Sequence, residues 1–340
     1  MTAPWVLSAP SRRALRDRAV RLRRKVEKGE AGSSDAAGSL TSKRPDRAHR
    51  AVLLPQGDDW LEPLTAVVEG RPSSRVVRGV ATDDARPVFV FPGQGTVFPG
   101  MCVGLLEASP EFARRIGECA DALAPHVDWS LVDVLRGEGP AQELQRPDVV
   151  EPVLFSIMVA LAGLWRSHGV EPGGVVGFSL GEIAAACVTG ALPLAEAARI
   201  AVLWSRAHVP MVGQGGMAMV GLTVEEVRER FGARGTDSAD AIDVAGVFDP
   251  RSVVIAGADP VIDGIVESLR DEGTYAQKLS VEFPAHSPRV EPQREALLAS
   301  LGRVRPRTTE LPFYSSTTGG RVDTAELDAE FWYRNLRNPV

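Results

Sequence analysis

The sequence predicts an α/β fold, in which a parallel sheet covered by helices is interrupted by an inserted subdomain and preceded by a small α/β module. Three observations predict it. Between residues 87 and 214, short β-branched runs alternate with helix-length apolar patterns, the βαβ rhythm that builds a parallel sheet. From about Met217 to Val281 the order becomes β-α-β-β-α-β, the ferredoxin-like signature. Before residue 86, a basic helix, two strand-like runs and a second helix form a unit of their own. The expected division is 1–86 for the module, 87–214 with 284–340 for the core, and 215–283 for the insert.

In order along the chain, residues 11–27 carry a helical pattern, followed by the Gly/Ser-rich AGSSDAAGS, a strand at 51–54, a helix at 60–69 and a strand at 75–80. RPVFVFPGQG opens the core with a buried-type strand at 88–91 running into a Gly-rich turn. Helices are expected at 111–124 and 152–167, a strand at 174–176, and helices at 181–189 and 194–208. The insert reads as MAMVGL, VEEVRERF, DVAGV, SVVIAGA, PVIDGIVESLRDEG and AQKLSV. The chain then returns through FPAHSPRVEP to a helix at 293–301 and a strand near Phe313.

With 340 residues and 44% apolar composition, the chain can bury a substantial core. Its longest apolar stretches are broken before the ~20 residues of a membrane span, and its start lacks a basic segment followed by an apolar one. A cytoplasmic protein with no membrane partner is expected. Cys102, Cys119 and Cys187 are too few and too scattered for a disulfide framework or a metal knuckle, so reduced structural thiols and no metal are expected. The net charge of −6 is uneven: residues 1–50 carry +8, leaving −14 for the rest. The basic helix at 12–28 reads first as a solvated face and second as a surface for an acidic partner. The acidic remainder and the lack of a recognition motif argue against nucleic acid.

Gly177-Phe178-Ser179-Leu180-Gly181 stands where a strand hands over to a helix. Gly-x-Ser-x-Gly at such a handover puts a serine on a sharp turn that the flanking glycines permit without a side-chain clash. The Ser179 oxygen is then presented at a helix N-terminus, with the Leu180 amide able to donate to an oxyanion. A hydroxyl nucleophile needs a base. Of the five histidines, His49 lies in the N-terminal module, His126 and His168 follow helices, and His208 ends one; these are expected to face solvent or cap helices. His286 differs, because two prolines fix its loop, Phe283-Pro284-Ala285-His286-Ser287-Pro288, just after the insert returns to the core.

These motifs together resemble the acyltransferase domains of modular polyketide synthases and, more distantly, the malonyl-CoA:acyl carrier protein transacylases. The likeness rests on FVFPGQG at 89–95, GFSLGE at 177–182, GGMAM at 215–219, SVVIAG at 252–257, the AH of FPAH at 285–286 and YRNLRNPV at 333–340. Residues 1–86, beginning PWVLSA after three residues, look like the linker between a ketosynthase and such a domain. The resemblance implies an α/β-hydrolase-like core and a Ser-His dyad: Ser179 as nucleophile, His286 as base, the carbonyl of Asn335 orienting the imidazole, and the amides of Gln94 and Leu180 forming the oxyanion hole. It also implies ping-pong transfer from an acyl thioester, acyl-CoA or an acyl carrier protein, through acyl-Ser179 to the phosphopantetheine thiol of a carrier protein, with no bound cofactor.

The departures bear on the substrate. Members of the family that load malonyl or methylmalonyl groups keep an arginine twenty-five residues after the serine, whose planar fork binds the free carboxylate. Here that residue is Trp204. Arg206, matching a second family arginine, is expected to point elsewhere, since i and i+2 do not share a helix face. Burying a malonyl carboxylate without its partner costs at least ~3 kcal/mol, more than a hundredfold in rate or binding. The family histidine before the nucleophile is Phe178, a family glutamine is Glu151, and an asparagine of the insert is Phe248. FPAH matches neither the YASH nor the HAFH pattern that accompanies methylmalonyl or malonyl choice, while Trp at the arginine position recurs in loading-type members. Phe178, Trp204, Phe248, Phe283 and Glu151 are thus expected to line the pocket, and Phe248 could equally repack the core. The expected function is transfer of a non-carboxylated acyl group. The alternatives are an acyl-thioester hydrolase of the same fold, a malonyl-type extender acyltransferase and a degenerate docking module. Met1 suggests a free-standing protein, whereas the linker-like start and the stop at Asn338-Pro339-Val340 suggest one trimmed from a larger synthase.

Overall fold

The computed structural model describes residues 4–30, 47–82, 86–95, 97–138, 144, 146–232 and 241–340; the Gly/Ser-rich run at 31–39 lies outside them. The chain divides into two units, Met1–Ala85 and Arg86–Val340.

In the first unit, strands β1 (Trp5–Ala9), β2 (His49–Leu53) and β3 (Val76–Val80) form an antiparallel sheet in that order. Helices α1 (Arg12–Glu27) and α2 (Leu61–Glu69) pack with it. Ser11 caps α1 by accepting from the Ala14 amide, which satisfies one of the orphan donors of a helix start. Alternate residues of β1, Trp5, Leu7 and Ala9, join Leu15, Ala19, Leu53 and Leu64 in the unit's own core, and Trp5 stacks on Trp60 with ring centroids 3.8 Å apart. Strand β1 is an element the sequence pattern did not single out.

In the second unit, β4 (Val88–Phe91) leads through the short α3 (Val103–Ala108) to α4 (Pro110–Leu123), α5 (Leu131–Arg136) and α6 (Pro147–Ser167). The expected start of α6 at 152 is too late. Pro147 occupies the first turn, where a missing N–H costs nothing, and Pro152 lies inside the helix. At 21 residues α6 is long and apolar enough to cross a membrane, contrary to the sequence expectation, but 61% of its most apolar stretch is buried inside the protein. It packs against α4 and against α7 (Leu180–Thr189) and α8 (Leu194–Arg206), as a core helix does. Strand β5 (Gly174–Gly177) lies parallel to β4.

The insert carries β6 (Gly216–Val220), α9 (Val224–Phe231), β7 (Asp243–Asp249), β8 (Ser252–Gly257), α10 (Asp259–Asp271) and β9 (Ala276–Lys278). Its sheet runs β7-β8-β6-β9 with each neighbouring pair antiparallel. Successive strand residues point to opposite faces. Thus Ala218, Val220, Val253 and Ile255 pack with Val227, Ile262 and Leu269, while Met217, Val254 and Ala256 turn to the main core. The chain returns through α11 (Arg294–Leu301) to β10 (Phe313–Ser315), β11 (Gly320–Val322) and α12 (Ala329–Arg337). The core sheet runs β11-β10-β5-β4, with β5 parallel to both its neighbours and β11 antiparallel.

Candidate active site

Strand β5 ends at Gly177, and the chain turns through Phe178 and Ser179 straight into α7. Ser179 adopts φ 53° and ψ −123°; with His286 (φ 57°) it is one of two non-glycine residues at positive φ among the described residues. Such backbone strain costs of order 1–3 kcal/mol and persists only where the surroundings hold it. The flanking glycines are required by close approach. A Cβ on Gly177 would sit 2.4 Å from the Cα of Glu182, and one on Gly181 would sit 2.1 Å from the carbonyl oxygen of Phe91.

A network of buried and half-buried groups holds the turn. The Ser179 N–H donates to Ser316 Oγ at 3.2 Å, and the Ser316 hydroxyl donates to Glu182 Oε1 at 2.8 Å. The Thr317 amide and hydroxyl donate to the same oxygen at 3.0 and 2.9 Å. Asn335 Nδ2 donates to the Ser179 carbonyl at 3.3 Å and to Thr317 Oγ1 at 3.1 Å. Burial raises the Glu182 carboxyl above its ordinary range, against the pull of these donors.

His286 reaches the elbow from a loop, with its Nε2 2.8 Å from Ser179 Oγ. Its Nδ1 lies 3.0 Å from the carbonyl oxygen of Asn338. A carbonyl only accepts, so Nδ1 carries the proton and Nε2 keeps a lone pair toward the serine hydroxyl. Burial lowers the His286 pKa to about 4, helped by His208 and opposed by the carbonyls of Asn338 and Asn335. The assignment of the orienting carbonyl to Asn335 therefore needs correction. Helix α12 ends at Arg337, and the extended Asn338 (φ −85°, ψ 154°) turns its carbonyl out of the helix toward the ring. Asn335 contributes a weaker backbone acceptor, while its side chain serves the elbow.

Beside the dyad lies a cavity of about 110 Å3, lined by all ten residues expected at the site except Asn335. Gln94, Ser179, Leu180 and His286 stand with Phe178, Trp204, Phe248, Phe283 and Glu151, together with Met217, Val254 and Val281. Neither the Gln94 nor the Leu180 amide donates to another group among the described residues. Phe178 and Phe248 pack at 4.9 Å; Phe248 is 53% exposed, so it does not repack the core. Trp204 is 1% exposed, and its neighbour Arg206 donates to the His126 carbonyl instead. Among the described residues, no lysine or arginine lines the cavity.

His208 does not face solvent as expected; it stands at the N-cap of the 3-10 turn Val209–Met211, but its side chain makes no capping bond. It is 1% exposed, as is Glu151, and its Nδ1 lies 3.0 Å from Glu151 Oε2. Its ring stacks on Phe283 at 4.2 Å and meets Trp204 edge-on at 4.7 Å. A carboxylate at the centre of the apolar VVEPVLF is itself a signal of a buried partner; the partner lies 57 residues away, where no local pattern points.

A family model described as the acyl transferase domain matches residues 88–340. The chain belongs to this acyltransferase family. It is 45% identical over 339 residues to the spectinabilin polyketide synthase system protein NorA' of Streptomyces orinoci, covering 99% of this chain and 9% of that protein. Across the first three such relatives the chain spans only 4–9% of their length. Among solved structures, the acyltransferase domain from module 8 of the salinomycin polyketide synthase superposes with TM-score 0.86 at 44% identity, covering 99% of this chain and 79% of that one. A loading acyltransferase from the avermectin modular polyketide synthase superposes with TM-score 0.72 at 46% identity, covering 74% and 80%.

The Ser-His dyad typical of acyltransferases is thus assembled here from β5, α7 and the FPAH loop. The acyltransferase thiols stand apart from the chemistry: burial pushes Cys119 and Cys187 up to about 12, and the described cysteines are unpaired. Sequence reasoning missed Glu182, Ser316 and Thr317, whose partnership spans more than 130 residues of chain.

Proposed function

We propose that this acyltransferase moves a non-carboxylated acyl group from acyl-CoA or an acyl carrier protein onto the phosphopantetheine thiol of an acyl carrier protein. The observation that carries this reading is the cavity wall: apolar and aromatic side chains, Trp204 at the family's arginine position, and no lysine or arginine among the described residues. A carboxylate entering it would lose its hydration and meet Glu151. The likeness to a loading acyltransferase supports the same reading.

In this mechanism His286 Nε2 takes the Ser179 proton as Oγ attacks the thioester carbonyl. The oxyanion of the tetrahedral intermediate is met by the Gln94 and Leu180 amides. The intermediate collapses with loss of the thiol, which takes the proton back from His286 and leaves acyl-Ser179. The carrier thiol then repeats the sequence in reverse roles: it gives its proton to His286, attacks the ester, and Ser179 leaves with that proton. Asn338 holds the ring in the tautomer that both halves need.

The test is intact-protein mass spectrometry after incubation with a panel of acyl thioesters. Wild type gains one acyl mass from neutral thioesters, Ser179→Ala gains none, and added carrier protein receives the group. Release of free acid in place of acyl carrier protein would favour the hydrolase; no acylation by any thioester would favour a docking module.

A further inference from the structure

His286 hangs from the end of α12. Its backbone N–H donates to the Leu336 carbonyl at 3.1 Å, and its ring Nδ1 donates to the Asn338 carbonyl at 3.0 Å. The second of these acceptors lies past the last helical residue, Arg337, so the helix alone does not aim it. The direction of a carbonyl beyond a helix end is set by the ψ angle of its own residue and by the course of the chain after it.

Both are fixed here by the next two residues. Pro339 follows Asn338, and a residue before proline is driven out of the helical region to ψ of about +120° to +160°. Asn338 sits at φ −85° and ψ 154°, which ends α12 and turns the carbonyl toward the ring. Val340 then ties to β7, the outer strand of the insert's sheet, whose edge leaves backbone groups free to pair. The Val340 N–H donates to the Ala245 carbonyl at 3.0 Å, and the Val340 carbonyl accepts from the Val247 N–H at 2.8 Å. The two bonds bracket Gly246, where a Cβ would stand 3.2 Å from the Val340 carbonyl oxygen, tighter than an ordinary contact. Val340 lines the acyl cavity together with Ala245, Gly246 and Phe248.

We propose that Pro339 and Val340 are positioning residues for His286: Pro339 turns the Asn338 carbonyl to the ring, and Val340 fastens that carbonyl to the strand that walls the acyl cavity. This rests on the reading of His286 as the base for Ser179 and extends it from the dyad to the insert. A neutral imidazole with no fixed acceptor at Nδ1 can place its proton on Nε2, which leaves no lone pair to take the serine proton. The competent tautomer therefore depends on the pairing between β7 and the tail.

The experiment reads the ring directly. In protein carrying isotope-labelled histidine, two-bond proton–nitrogen spectra report the tautomer of each histidine, and the His286 signals are those lost in His286→Ala. Wild type near neutral pH is expected to hold the His286 proton on Nδ1. Pro339→Ala frees Asn338 to adopt helical ψ, and Val340→Pro removes the N–H bonded to Ala245; each should shift His286 toward the Nε2–H form. Val340→Ala keeps both backbone bonds and should keep the wild-type ring signals. Pro339 stands outside the cavity lining, so Pro339→Ala should lower kcat for Ser179 acylation by butyryl-CoA about tenfold or more, with KM within about threefold of wild type. Wild-type ring signals in both Pro339→Ala and Val340→Pro, or a fall in kcat while the signals stay unchanged, overturn the proposal. Hydrogen–deuterium exchange on the wild-type protein supplies a check that needs no variant. The Val340 amide should be protected like those of the insert's paired strands, and exchange at the rate of a free tail overturns the proposal. Absence of acylation by every thioester overturns instead the dyad reading on which it rests.

Discussion

At the scale of single residues, the histidine base and the tryptophan wall each make a measurable claim. His286 must be neutral to accept the serine proton, and its folded-state pKa, lowered to about 4 by burial, lies below the ordinary 6.5. The sign follows: the base stays competent as pH falls through 6.5 and is lost only as pH approaches about 4. The rate of Ser179 acylation, kcat/KM, should therefore be flat from pH 7 to 5; a fall centred near 6.5 would contradict the burial argument. Trp204→Arg is expected to raise malonyl acylation at least about tenfold over wild type by supplying a guanidinium to an otherwise uncompensated carboxylate. Competition between malonyl and neutral thioesters, read by mass, checks it.

At the scale of elements, the elbow between β5 and α7 is held from both sides. Gly177→Ala and Gly181→Ala would drive a methyl into backbone at 2.4 and 2.1 Å, so each should destabilise the fold by at least about 1–3 kcal/mol, read from chemical denaturation. Glu182→Ala removes the acceptor of three hydrogen bonds from Ser316 and Thr317. It should cost about 1–3 kcal/mol and lower the acylation kcat about tenfold or more with less effect on KM, because a small displacement of Ser179 is felt in the chemical step. An unchanged kcat in a destabilised variant would show the network to be structural only. The basic face of α1, with Arg12, Arg13 and Arg16 beside Arg78 around one groove, remains a candidate surface for an acidic carrier protein. Charge reversal there should slow carrier-dependent transfer and flatten its salt dependence.

At the scale of the whole molecule, what was legible in the sequence is what local spacing can encode. The β-α-β-β-α-β order of the insert, the Gly-x-Ser-x-Gly turn and the proline-bracketed His286 are each complete within a short window, and the structure brings Ser179 and His286 to 2.8 Å. What was not legible depends on partners distant in the chain. The acceptor 3.0 Å from His286 Nδ1 is on Asn338, ahead of Asn335, because of where α12 ends. Glu182 finds Ser316 and Thr317, and Glu151 finds His208, only once the sheet and helices are stacked. Short elements such as α3, α5 and β11 escaped because a run of three to six residues carries too little periodicity to read. The first unit owns a core built on the Trp5–Trp60 stack, so Trp60→Ala should destabilise that unit by about 3–5 kcal/mol while Ser179 acylation persists.

The charge of the cargo is the property on which the functional reading stands. Acylation of Ser179 by malonyl-CoA and by isobutyryl-CoA, compared as kcat/KM on the wild-type protein by intact mass, tests it in one assay. The cavity described here predicts that the neutral group is favoured by a hundredfold or more, the equivalent of at least ~3 kcal/mol. Malonyl loading at an equal or greater rate would contradict it.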